Sequence, residues 1–159
     1  MGKCIKICSK KNYTTSKKAI RIVTGSQYNS HTEPLFKQLN ILKFIDMYEY
    51  AIVLFMMKYM TNQLPVSFNG TFPSNNDIRP DISTRQSHLL RVKCSASEFS
   101  NRFPIFKYPR IWNKWVNIVP NYTTYSFVKF KRCVKIRIIS DYKQNVLCEN
   151  LSCRDCFSQ

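Results

Sequence analysis

"KFIDMYEYAIVLFMMKYM", residues 43–60, decides the fold class. It holds no glycine or proline, and its pattern predicts a helix over about 43–61, the longest of the chain. Asp46 and Glu49 mark a wet side along its first half. From Tyr50 to Met57 it is apolar on every face, so this half is expected to be a central element around which others pack. The apolar run Ala51 to Met57 is far too short to cross a bilayer. Met47, Met56, Met57 and Met60 would suit either a plastic ligand groove or core filling, and core filling is the simpler reading.

Outward from this helix, the pattern divides the chain into five parts. Residues 1–14 show no period and read as an irregular or disordered basic N-terminus. Residues 15–62 hold helices. In "TTSKKAIRIVTGS", Thr15 or Ser16 is the expected N-cap and Gly25 the stop. Ala19, Ile20 and Val23 would form its apolar side, with Lys17, Lys18 and Arg21 projecting from the rest. In "HTEPLFKQLN", Thr32 can cap, Glu33 and Pro34 suit a first turn, and Leu35, Phe36 and Leu39 supply a buried stripe before a bend near Asn40. Residues 63–106 read as a loop and an extended arm. Prolines and Asn/Asp dominate 63–81, "ISTRQSHLLRVKCS" alternates like a strand, and 99–106 look extended up to Pro109. Residues 107–142 hold the C-terminal helices. "PRIWNKWVNI" begins one with Pro109 in its opening turn, and Thr123 or Thr124 caps "YSFVKFKRCVKIRIISDY". In that last helix Tyr125, Val128, Cys133 or Val134, and Ile138 lie near one face, while Lys129, Lys131, Arg132 and Lys135 cover much of the remainder. Residues 143–159 form a Cys-rich tail. The expected fold is mainly α, a small irregular helical bundle with a long central apolar helix, an extended arm in its middle, a ragged N-terminus and a Cys-containing tail.

The 159 residues are 44% hydrophobic and 14% aromatic, enough for one domain with a real core, and 3 glycines suit helices better than a turn-rich barrel. Twenty-five Lys and Arg against 9 acids give a formal charge of +16, an imbalance that favours a polyanionic partner, of which nucleic acid is the commonest. "MGKCIKICSKKNYTT" carries charge throughout and never reaches an apolar signal region, so an intracellular protein, cytoplasmic or nuclear, is expected, with no membrane partner. Seven cysteines then read as reduced thiols or a metal site.

The sparse acids also bound the chemistry. No Asp-Asp pair, Gly-rich phosphate loop, nucleophile elbow or His-Glu zincin pattern occurs, and His31 and His88 read as surface or capping residues. The chain alone is not expected to be an enzyme. In the tail "CENLSCRDC", Cys148, Cys153 and Cys156 form a Cys-x4-Cys-x2-Cys arrangement whose final pair has zinc-knuckle spacing. Zinc is thus the one candidate cofactor. A structural site wants four ligands, and Cys133 would complete the set only if the last helix folded back. The alternative is a terminus with free thiols.

Several elements in order carry a family resemblance. "KKAIRIVTGSQYNSHTEPLFKQLNILKFIDMYEYAIVLFMMKY", residues 17–59, resembles the segment after the palm in reverse transcriptases of non-LTR (LINE-type, jockey-like) retrotransposons, with their "KKAIRII" helix, "HTEPLF..LNIL" turn and helix, and long apolar helix ending in "KY". "STRQS" (83–87) resembles the family's "NTRQ", "KYPRIWNKWVNIVP" (107–120) its "GPKIWNSLP", and "TTYSFVKFKRCVKI" (123–136) its "S..SFK..LK..L" helix. The tail "CENLSCRDCF" also has a familiar look. Two departures stand out: Tyr108 replaces a glycine, and Trp115-Val116 replaces Leu-Pro. The chain lacks the family's fingers, catalytic palm and endonuclease.

The resemblance implies a C-terminal fragment of an RNA-directed DNA polymerase, comprising thumb-like and post-thumb helices. Such a noncatalytic module would grip RNA or an RNA–DNA duplex, with the missing polymerase domains as a candidate partner. Its expected phosphate contacts are Lys17, Lys18, Arg21, Arg110, Lys114, Lys129, Lys131 and Arg132. The alternatives are a small zinc-dependent interaction module and a translated remnant of a mobile element without function. The resemblance also bears on Trp112 and Trp115, which could be a core anchor or a pair of exposed stacking platforms. Trp115 falls at a family leucine position, and leucine cannot stack on a base, so both indoles are expected to be buried, each worth about 2–3 kcal/mol.

Overall fold

Three helix ends explain where the chain turns. Gly25, Asn40 and Asn62 adopt left-handed φ values of 62°, 54° and 54°. Each sits at the centre of the same hydrogen-bond pair. After the first helix, Gly25 N–H donates to Ile22 O and Ser26 N–H to Arg21 O; after the second, Asn40 N–H reaches Lys37 O and Ile41 N–H reaches Phe36 O. After the third, Asn62 N–H reaches Tyr59 O and Gln63 N–H reaches Lys58 O. This is the Schellman closure, in which glycine or asparagine takes the one position that other side chains resist.

The computed structural model describes residues 2–82, 84–94, 97–119 and 122–142, with side chains from residue 12 onward. The fold is mainly α: α1 (Gly2–Thr24), α2 (Thr32–Gln38), α3 (Phe44–Met60), α4 (Asn75–Ile78), α5 (Pro104–Ile118) and α6 (Phe127–Ser140), joined by short 3-10 turns. Among the described residues no helix is long and apolar enough to cross a membrane. Residues expected to be irregular before Thr15 belong to α1, which contains no proline. At 23 residues it exceeds the 17 of α3, which is therefore not the longest helix.

The chain divides into two units, one comprising residues up to Tyr48 with those from Arg132 onward, the other Glu49–Lys131. In the first, α1 packs on α2, and Ile20, Thr32, Phe36, Val134, Ile138, Ile139 and Tyr142 are buried. A polar cluster ties the C-terminal end of α6 down. Lys37 Nζ donates to Ser140 O (3.4 Å), an orphan carbonyl at the helix end, and to Tyr142 O (3.2 Å) just beyond it. Tyr142 OH accepts from Lys43 N–H at 3.0 Å and donates to Asp46 Oδ2 at 2.6 Å, while the Lys43 ammonium pairs with Glu33. Burial, together with the Asp46 acceptor, pushes the Tyr142 phenol far above its ordinary pKa.

The second unit is built on Ile52, Val53, Met56 and Met57 of α3, with Phe72, Leu90, Trp112, Trp115 and Phe130, all buried. Met56 and Met57 are core fillers, whereas Met47, in the first unit, is 54% exposed. The segment expected to be a strand-like arm is instead a sequence of tight turns. Ser87 N–H bonds Thr84 O and Leu89 N–H bonds Gln86 O, so that among the described residues extended pairing is reduced to one antiparallel bridge between Ser74 and Leu90. Two side chains hold this excursion by mimicking a β-partner. Asn113 accepts from Leu90 N–H (3.0 Å) and donates to Leu90 O (2.8 Å), and Tyr59 OH does the same for Phe72 at 3.1 and 3.3 Å. A Ser74–Asp77 capping box starts α4.

Two expected helix starts are corrected. α5 begins at Pro104, where a missing N–H costs nothing, and Pro109 lies buried inside the helix. α6 is capped by Ser126, whose Oγ accepts from Lys129 N–H, one turn later than Thr123 or Thr124 would place it. Val134 and Ile138 are buried as expected and Phe130 joins them, whereas Val128, expected inside, is 76% exposed.

Candidate nucleic-acid interface

At 3.6 residues per turn, Lys107, Arg110 and Lys114 of α5 fall on one stripe, and Tyr108, Pro109, Trp112 and Trp115 fall around the opposite side. The burial follows this geometry. Trp112 and Trp115 are 2% and 4% exposed, whereas Arg110 and Lys114 face water. Trp112 meets Tyr122 edge-on at 5.0 Å and Phe130 at 6.4 Å. Both indoles are therefore core anchors, and the cations that surround them in sequence are displayed on the far face of the same helix.

One acid sits beside this stripe. Glu49 Oε1 accepts from Trp115 Nε1 at 2.8 Å and from Lys114 Nζ at 2.9 Å. Burial opposes its charge, but these two hydrogen bonds and the ammoniums of Lys114 and Lys107 outweigh that, and the carboxyl lies below its ordinary pKa. The carboxylate satisfies a buried indole N–H while fixing one cation of the stripe.

The other expected contact residues distribute as follows. Arg110, Lys114, Lys129 and Lys131 belong to the second unit, and Lys17, Lys18, Arg21 and Arg132 to the first. Lys129 and Lys131 are exposed, with the Lys129 ammonium 4.7 Å from the Tyr125 ring centroid. Lys18 and Arg132 are exposed. Arg21 is half-buried, its Nε donating to Ser30 O at 3.0 Å and its guanidinium 5.8 Å from the Tyr28 ring, so it ties the turn after α1. Lys17 overturns its expectation. It is only 7% exposed, with its ammonium 4.4 Å from the Tyr13 ring. The inward stripe of α1 runs Tyr13, Lys17, Ile20, Thr24, which leaves Ala19, Ile22 and Val23 outward, so Lys17 is removed from the phosphate-binding set.

Sequence reasoning sets Lys107 beside Arg110 and Lys114 on the surface opposite the indoles but leaves it out of the expected phosphate contacts; the start of α5 at Pro104 puts it within the helix and completes the stripe. One pair was missed. Phe99 and Phe103, 57% and 49% exposed, form an edge-on pair with centroids 5.4 Å apart directly before that helix. Elsewhere in this unit a cleft of about 350 Å³ is lined by Tyr59, Asn62, Asn69, Phe72, Ser74 and Asp77, whose carboxylate already serves the α4 capping box. Cys148, Cys153 and Cys156, the candidate zinc ligands, lie outside the described residues. Cys133 is half-buried on α6. Compared with protein-family models, curated proteins and solved structures, the chain matches none.

Proposed function

We propose that this chain is a noncatalytic nucleic-acid-binding module, akin to the thumb and post-thumb region of a non-LTR retrotransposon reverse transcriptase. It holds RNA or an RNA–DNA duplex by the phosphate backbone. The observation that carries this reading is the division of α5, with two buried indoles on one side and Lys107, Arg110 and Lys114 on the other, in a chain of net charge +16. Lys18, Lys129, Lys131 and Arg132 add exposed positive charge on other helices. Such contacts position a strand without reading its bases, and every neutralised phosphate releases counterions. The kinship with reverse transcriptases rests on the ordered sequence elements between Lys17 and Phe157.

Salt titration tests it. With about five phosphates engaged, affinity for an RNA–DNA duplex falls by roughly two to three decades between 50 and 200 mM salt. The double variant Arg110→Gln/Lys114→Gln binds more weakly and reduces the slope of log K against log salt by about two. Affinity that is flat in salt refutes the reading.

A further inference from the structure

The exposed Phe99–Phe103 pair and the α5 stripe are continuous. Phe103 is the N-cap of α5, and positions 103, 107, 110 and 114 recur at helical spacing along one side of it. The helix rises 1.5 Å per residue, so the row from Phe103 to Lys114 spans about 16 Å, room for a few nucleotides. Phe99 and Phe103 are large and apolar, yet about half of each faces water, and their ring contact is with each other. Two exposed rings at one end of a cationic row make the combination that single-strand binders use: a backbone track of positive charge and aromatic faces on which bases stack whatever their identity. A duplex keeps its bases stacked on one another and has no use for such rings. Arg102, between the two rings in sequence, pairs with Glu98 at 3.1 Å on the surface.

We infer that Phe99 and Phe103, with Lys107, Arg110 and Lys114, form a track for single-stranded nucleic acid, in which one or two bases stack on the phenyl rings while the following phosphates run along α5. This rests on the nucleic-acid reading above and goes beyond it in naming the strand state and the stacking residues. Tyrosine would preserve stacking at position 103, and leucine would remove it at either position with a similar burden of exposed apolar surface.

The test measures fluorescence anisotropy of a labelled oligouridylate of about 15 nucleotides, and of a matched RNA–DNA duplex, with the full chain. Phe99→Leu/Phe103→Leu is expected to lose about tenfold or more on the single strand while staying within about twofold of wild type on the duplex. Phe103→Tyr alone retains single-strand affinity, and thermal melts of the variants match wild type. Single-strand affinity unchanged in the double leucine variant, with the salt slope intact, overturns the stacking track and leaves the backbone reading standing. An equal loss on both ligands also overturns it, since the rings would then act through the fold. Affinity insensitive to salt for both ligands removes both readings together.

Discussion

Replacing Glu49 with alanine removes the acceptor shared by Trp115 Nε1 at 2.8 Å and Lys114 Nζ at 2.9 Å. The indole is 4% exposed, and an unsatisfied buried donor costs about 1–3 kcal/mol. The Lys114 side chain is 61% exposed, so its ion pair adds less than about 1 kcal/mol after solvent screening. Glu49→Ala should therefore destabilise the chain by about 2 kcal/mol at neutral pH. Glu49→Gln keeps an acceptor for the indole but loses the charge, and should cost about 1 kcal/mol. The pH dependence has a definite sign. The folded carboxyl is held below its ordinary value, so its charge stabilises the fold fully above the unfolded pKa of about 4.3, and that contribution is lost as pH falls through the folded value. Urea unfolding at neutral pH and again below about pH 4 measures this. The gap between wild type and Glu49→Gln should narrow on acidification. A Glu49→Gln variant as stable as wild type at neutral pH, or a gap unchanged in acid, refutes the assignment of Glu49 as a charged acceptor for the Trp115 indole.

Two further outcomes follow from the backbone. Asn62 stands at φ 54° in the closure of α3, so Asn62→Ala should cost about 1 kcal/mol, while Asn62→Gly is neutral or slightly stabilising; thermal melts of the pair decide it, and equal effects would contradict the left-handed cap. Asn113 pairs with both backbone groups of Leu90, so Asn113→Ala should lose about 2 kcal/mol in urea unfolding and accelerate hydrogen exchange at the Leu90 amide. Unaltered Leu90 exchange would contradict that clamp.

How much of this was legible in the sequence depended on whether a neighbour distant in the chain had a say. The two faces of α5 were readable because its indoles and cations separate at helical spacing without outside help. Gly25 and Asn40 announced their turns for the same local reason. α1 was misphased because its inward stripe includes Tyr13 and Lys17, residues that normally mark a wet face; the long Lys17 stem is buried and its ammonium rests beside a ring. α6 offers apolar residues at 127, 128, 130, 134, 136, 138 and 139, a set compatible with more than one phase, and tertiary packing chose the one centred on Phe130 and Val134. In sequence Pro109 reads as the first-turn proline of α5, and Pro104 holds that position instead. The clamps of Asn113 on Leu90 and Tyr59 on Phe72 join residues 23 and 13 positions apart, and no local pattern announces such a pair.

The placement of the acids bears on the proposed polyanionic partner. Among the described residues, six acids have partners. Glu33 pairs with Lys43, Asp46 accepts from Tyr142, Glu49 serves Trp115 and Lys114, and Asp77 closes the α4 capping box. Glu98 and Asp141 lie beside Arg102 and Arg137 in exposed i,i+4 pairs that contribute little. Four of these acids thus satisfy particular donors, and Lys18, Arg110, Lys129, Lys131 and Arg132 are exposed in a chain of net charge +16. Mutual repulsion among those cations works against the folded state, and a phosphate backbone that binds only that state would relieve the repulsion and stabilise the fold by mass action. The division of α5 fits the proposed strand contact: apolar and locally satisfied polar groups close the interior around Trp112 and Trp115, and Arg110 and Lys114 stay exposed on the outer side.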